Sequence, residues 1–337
     1  MPVINAKDYT SGSGAAPPEQ QQQQQQPPQE QQQPQNQPQP QPQQVVKKPA
    51  INVRHSNFKY DPQADRFPDT PTVTPRPFDP SIIKDDATCI FFGKRRTGKS
   101  FMTRHLLYAK RDRFPFGVVF TKTKFNGFWQ QYVPERFVHV GYKPQVLEKI
   151  LNRQRPIAEK IKQGVLKEVV KPRNKGEINP YFFVIFDDVI SDGEVLRRDP
   201  LLQTLFTEGR HLKIPVFFCS QYAKGVGPVV RANCDYAFIF QCMQNMQRES
   251  LAEDFLGTVP KKEGMALLSK YCQGHQALVV DTSEETTDLN EILYVFTAQD
   301  PGPFKLGCRE FWEGKEGRGI DTSGIKEHID SRFSQFP

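Results

Sequence analysis

The sequence predicts an α/β fold, a mostly parallel sheet with helices on both faces, preceded by a disordered arm rich in Gln and Pro. Three observations carry that expectation. Short apolar runs alternate with helical patterns from about Ser81 onward. Three of those runs, YFFVIF (181–186), IPVFFCS (214–220) and YAFIF (236–240), are apolar throughout, as strands covered on both faces must be. Before them, Gln20 to Gln44 holds 17 Gln and 6 Pro in 25 positions, too few apolar side chains to offset the entropy of ordering.

Residues 1–80 are therefore expected as a disordered Gln/Pro-rich region, serving as a solvent-exposed tether or a docking arm. Residues 81–337 are expected as one α/β domain with a peripheral C-terminal segment. The first two strands of that domain are TCIFF (88–92) and GVVFT (117–121), and SFMTRHLLYAK (100–110) supplies a helix between them. FVHV (137–140) is a third strand and PQVLEKILNRQ (144–154) a second helix, followed by a basic loop or extension to Asn179. LLQTLFTEGRH (201–211) and RESLAEDFL (248–256) are further helices. ALVVDT (277–282) and LYVFTA (293–298) are expected to extend the sheet. Strands alternating with helices require crossover connections, hence parallel pairing.

Charge divides unevenly along the chain. Residues 1–80 carry seven basic and seven acidic side chains, so the formal +7 belongs to residues 81–337. Lys94 to Arg113 has eight basic residues against one acidic, and Lys143 to Lys175 has ten against three. Such runs suit a polyanion's phosphates, or are solvated helix faces. The six cysteines form no C-x-x-C pair and the six histidines no metal-ligand spacing, which excludes a zinc site or a disulfide framework and fits a reducing compartment. No apolar run approaches 18 residues and none resembles a leader, so no transmembrane segment is expected.

Gly93-Lys94-Arg95-Arg96-Thr97-Gly98-Lys99-Ser100 fits G-x-x-x-x-G-K-[ST] between a predicted strand and a predicted helix. Glycines let the backbone curl so that its N–H groups cradle phosphates at a helix N-terminus. Lys99 is expected on the β and γ phosphates of ATP, and Ser100 on Mg²⁺. Asp187 and Asp188 follow YFFVIF, at the strand end where open sheets bind ligands. Asp187 is the candidate metal carboxylate and Asp188 the candidate general base; the alternative is a pair that merely starts a turn. Gln221 ends the next strand and can sense the γ-phosphate or orient a water, or be an ordinary loop residue.

Taken in order, GKRRTGKS, VIFDD, TEGRHLKIPVFFCSQY and VVRANCDYAFIF resemble the FtsK/HerA superfamily of P-loop ATPases, most closely the poxvirus-type genome-packaging ATPases of large DNA viruses. The resemblance runs from about Thr88 to Phe240. It implies a RecA-like P-loop NTPase that hydrolyses ATP with Mg²⁺, forms a homo-oligomeric ring, and translocates double-stranded DNA into a capsid through a portal or membrane partner. It places the protein in the host cytoplasm or the virion. Asp188 stands where the wider superfamily has a water-activating Glu. Arg231 is the candidate arginine finger and Arg210 its competitor; the alternative for Arg231 is an ordinary surface arginine or a pair with Asp235. Two other classes remain open at this point, a P-loop nucleoside or nucleotide kinase and a non-hydrolysing nucleotide-gated scaffold.

Overall fold

The computed structural model describes residues 73–189 and 198–313. The Gln/Pro tract and the C-terminal residues from 314 onward lie outside the described residues. In chain order the strands are β1 (Arg76–Pro77), β2 (Thr88–Phe92), β3 (Phe116–Thr121), β4 (Val138–Val140), β5 (Lys167–Glu168), β6 (Glu177–Ile178), β7 (Phe182–Asp187), β8 (Val216–Ser220), β9 (Tyr236–Ile239), β10 (Gln276–Asp281) and β11 (Leu293–Thr297). The helices are α1 (Lys99–Ala109), α2 (Pro144–Lys162), α3 (Pro200–Glu208), α4 (Pro228–Ala232), α5 (Asn245–Phe255), α6 (Lys261–Tyr271), α7 (Leu289–Ile292) and α8 (Arg309–Glu313).

Strand alternation divides the apolar residues between two faces. Ile90, Phe92, Val184, Phe186 and Phe218 enter one core with α2, α3, α5 and α6. Cys89, Phe91, Phe183, Ile185 and Phe217 enter the other, where Met102, Leu106 and Leu107 of α1 cover them. Both faces are buried, so the strands read as unbroken apolar runs.

Among the described residues the main sheet has nine strands in the order β1-β11-β10-β9-β2-β8-β7-β3-β4. The six strands from β9 to β4 are parallel to their neighbours, and β10 runs antiparallel to both β9 and β11. The mostly parallel sheet with helices on both faces is thus as expected, and 277–282 and 293–298 do extend it.

The order matters more than the count. β8 lies between β2 and β7, and the register aligns Phe92 with Ser220 and Asp187 with Cys219. The residues that follow these three strands therefore emerge at one carboxyl edge, with β2 and β7 about 10 Å apart at two strand spacings. That gap is the site.

Two boundaries differ from the sequence expectation. The arm was drawn to residue 80, yet β1 pairs with β11 and Val73 and Phe78 are buried. Phe78 meets Tyr236, Phe238, Tyr294 and Phe296 ring to ring, so a short aromatic anchor outweighs the Pro-rich composition around it. The last thirty residues were expected to be peripheral, but Phe311 is fully buried against Phe137 and Phe183. The second helix is also longer than its first apolar pattern, continuing through Pro156 to Lys162.

Candidate functional site

The phosphate loop leaves β2 at Phe92 and turns into α1. Gly93 donates its N–H to Ser220 O at 3.2 Å, which ties the loop to β8. A Cβ on Gly93 would come 2.7 Å from Phe240 Cβ and 2.8 Å from Thr97 Oγ1, so only glycine fits this packing. Gly98 turns the chain at φ 100°, in the left-handed region, immediately before α1. Arg96 also takes a positive φ of 64°. Thr97 Oγ1 donates to Lys94 O at 2.9 Å and holds the loop closed on itself.

Lys99 is 5% exposed at the first position of α1. Its ammonium donates to Gly93 O at 2.8 Å and Lys94 O at 3.0 Å, and lies 3.9 Å from Asp188 Oδ1. Two carbonyl acceptors and one carboxylate charge keep this flexible, charged chain aimed across the loop. Lys94, Arg95 and Arg96 are exposed, and Arg95 and Arg96 line a cavity of about 630 Å³ with Lys99, Ser100, Asp188 and Gln221.

Across the gap, Asp187 is the last residue of β7 and is buried. Its Oδ1 accepts from Ser100 Oγ at 2.7 Å and its Oδ2 from Trp129 Nε1 at 2.8 Å. Burial pushes its carboxyl above the usual value, and the Trp129 and Ser100 hydrogen bonds oppose that shift. Asp188 leaves the strand at φ 52°, a left-handed conformation that turns its side chain into the cavity. Gln221 Nε2 donates to Asp188 Oδ2 at 2.9 Å, while Asp188 Oδ1 is a buried oxygen without a hydrogen-bond partner among the described residues.

Oxygen donors of this kind suit a hard divalent cation. Ser100 Oγ and Asp187 Oδ1 are the atoms that would hold Mg²⁺, and the Asp188 carboxylate lines the same cavity with no hydrogen bond to its Oδ1. The residues present therefore fit a magnesium nucleotide.

The two arginine candidates stand in different places. Arg231, on α4, is ion-paired with Asp254 at 3.0 Å and donates to the carbonyls of Ala223 and Val226; its side chain is 18% exposed. Its expected alternative partner, Asp235, pairs instead with Arg210 at 3.7 Å. Arg210 is 57% exposed and lies by the start of β2, at the opposite edge from the phosphate loop, because Asp235 also accepts from Thr88 N.

Sequence reasoning missed four contributors. Trp129 lies 58 residues from Asp187 in a 3-10 turn, with no periodic signal to mark it. His275 Nδ1 lies 3.3 Å from Thr97 O, bringing the antiparallel flank against the phosphate loop. Lys122 and Thr123 follow β3 into the cavity. The one available cue for the last pair is that β3 ends level with Asp187, a fact of register.

A parallel sheet with a strand-loop-helix phosphate cradle, a buried Ser–Asp pair and a carboxylate–amide pair at one edge defines a P-loop ATPase. The chain belongs to the family described as Poxvirus A32 protein, whose model matches residues 78–264. This agrees with the resemblance drawn from the motifs. Uncharacterized protein L437 of Acanthamoeba polyphaga mimivirus is 28% identical over 236 residues, covering 69% of this chain and 80% of that protein. Uncharacterized protein 075L of Invertebrate iridescent virus 6 is 28% identical over 263 residues, covering 74% and 96%. Among solved structures, the genome packaging NTPase B204 from Sulfolobus turreted icosahedral virus 2 in complex with AMPPCP aligns with a TM-score of 0.43 at 13% identity, over 64% of this chain and 100% of that one. Among the described residues no helix is long and apolar enough to cross a membrane.

Proposed function

We propose that the chain is the ATP-hydrolysing motor that drives double-stranded DNA into the capsid of a large DNA virus. The observation that carries the hydrolytic half is the Asp188–Gln221 pair, set 3.9 Å from Lys99 and beside Ser100–Asp187. A carboxylate with one oxygen bonded to an amide and one oxygen unbonded is arranged to accept a proton from water. The DNA half is supported by family membership and by the basic balance of residues 81–337.

In this reading the loop amides and Lys99 grip the β and γ phosphates of ATP. Asp188 takes the proton of the attacking water, and Gln221 orients that water while holding Asp188 in place. Lys99 offsets the charge that grows on the γ-phosphoryl oxygens. Mg²⁺, held by Ser100 and Asp187, supplies Lewis-acid neutralisation of the β and γ oxygens when bound.

The working form in this proposal is a homo-oligomeric ring acting with a capsid, portal or membrane partner, in the host cytoplasm or the virion. An arginine from a neighbouring subunit completes each site. Arg231 must give up Asp254 and two carbonyls to serve, whereas Arg210 gives up one long pair. Mixing Arg231→Ala with Lys99→Ala subunits should restore hydrolysis at hybrid sites; if Arg210→Ala restores it and Arg231→Ala does not, the finger is Arg210.

The motor itself is tested by ATP turnover with and without duplex DNA over a salt series. Turnover should rise with DNA, and the rise should fall steeply with salt, because a translocase grips backbone phosphates. Equal rates with and without DNA at every salt would overturn the translocase reading and leave an ATPase of another role.

A further inference from the structure

Asp187 uses both of its carboxylate oxygens, one toward Ser100 Oγ and one toward Trp129 Nε1. A carboxylate on the last residue of a strand can turn about its terminal bond and swing its plane away from the serine. A donor on the second oxygen opposes that turn, and Trp129 is placed to supply it. Its indole N–H donates to Oδ2 at 2.8 Å, and indole nitrogen is a donor only, so it can hold a carboxylate and never compete for a cation.

The tryptophan is itself firmly seated. It is 1% exposed, its carbonyl accepts from Tyr132 N at 3.0 Å and Val133 N at 2.9 Å, and Phe128 meets its ring edge-on at 5.0 Å. Tyr132 in turn accepts from Arg104 at 3.0 Å, on the helix that carries Ser100. The segment between β3 and β4 thus connects the phosphate-loop helix to the carboxylate through protein contacts alone.

We infer that Trp129 is a positioning residue for the metal site: its N–H fixes Asp187 so that Oδ1 stays beside Ser100 Oγ. The inference rests on the reading of Asp187 as the magnesium carboxylate. Partners that orient a metal-binding group are worth about 10–100-fold in metal affinity.

The test uses the full-length chain with Mn²⁺ and a non-hydrolysable ATP analogue, with Mn²⁺ affinity read by electron paramagnetic resonance. Two changes remove the N–H: Trp129→Phe, and replacement of Trp129 by benzothienylalanine, which keeps the bicyclic shape and puts sulfur where the N–H was. Both should weaken Mn²⁺ binding about 10–100-fold while leaving analogue affinity in EDTA unchanged. If the phenylalanine variant does not fold, the isosteric replacement carries the test. Parental Mn²⁺ affinity in the isosteric protein overturns the inference. Asp187→Asn separates the two claims: if it too leaves Mn²⁺ affinity unchanged, the metal reading of Asp187 falls; if it weakens binding and the isostere does not, only the role of Trp129 falls.

Discussion

The two edges of the parallel sheet hold similar aspartates put to opposite uses. At the amino edge, Asp235 is buried with Oδ2 accepting from Thr88 N at 2.7 Å and Oδ1 facing Arg210. Asp85, on the same side, is clasped by Lys110 at 3.1 Å and Arg113 at 2.9 Å. At the carboxyl edge, Asp188 sits in left-handed backbone on the cavity lining; its Oδ2 accepts from Gln221, and its Oδ1 faces Lys99 at 3.9 Å without a hydrogen bond. The difference between the two aspartates is one of place and backbone. Asp235 answers a strand N–H away from the cavity, whereas Asp188 lines it in a conformation uncommon for a residue other than glycine.

That contrast predicts opposite consequences for the same kind of substitution. The largest effect belongs to Asp188→Asn, which removes the proposed proton acceptor: kcat should fall about 10²–10⁴-fold with nucleotide affinity retained. Melting temperature should hold or fall slightly, because asparagine tolerates positive φ well but leaves the buried Lys99 without its carboxylate neighbour. A variant that keeps its turnover would remove Asp188 from the chemistry. Next comes Lys99→Ala, expected to cost about 10²–10³-fold in kcat by loss of the charged donor proposed for the developing oxyanion. Gln221→Ala should cost about fivefold in kcat and little in KM, the equivalent of one hydrogen bond near 1 kcal/mol.

At the amino edge the signs reverse. Asp235→Ala leaves the Thr88 N–H buried and unanswered, so unfolding free energy should drop by about 1–3 kcal/mol while nucleotide affinity per folded molecule stays at the parental level. A fall in nucleotide affinity would break the distinction between the edges. Asp235→Asn sharpens it through pH. Burial raises the Asp235 carboxyl above its ordinary 3.8, despite the opposing Thr88 N–H and Arg210. Its contribution to stability is therefore full below that value and lost as pH rises through the folded-state pKa. Asparagine cannot ionise, so the difference in stability between variant and parent should move in favour of the variant as pH is raised from about 3.5 to 7 in denaturant titrations.

Much of this was legible in the chain. The phosphate loop announced itself because strand, glycine turn and helix are contiguous and each has local chemistry: TCIFF before, GKRRTGKS between, FMTRHLL after. VIFDD and CSQ were legible for the same reason, an unbroken apolar strand ending in a polar group. Arg231's true partner was not legible, since Asp254 belongs to a different helix and nothing in the spacing prefers it to Asp235. Nor was the anchoring of Phe78, where four aromatic rings from β9 and β11 override a local Pro-rich composition.

By itself the sequence determined which residues could do the chemistry: a lysine and a serine opening α1, two carboxylates closing β7, an amide after β8. Periodicity and turn chemistry are local, and these features need only local information. Tertiary structure alone decided that β8 lies between β2 and β7, so that Gln221 meets Asp188 and Ser100 meets Asp187 across 87 residues of chain. It also brought Trp129 to the second oxygen of Asp187 and His275 to the back of the phosphate loop. Sheet order and register arise from packing among all the strands at once, and no single stretch of sequence carries them.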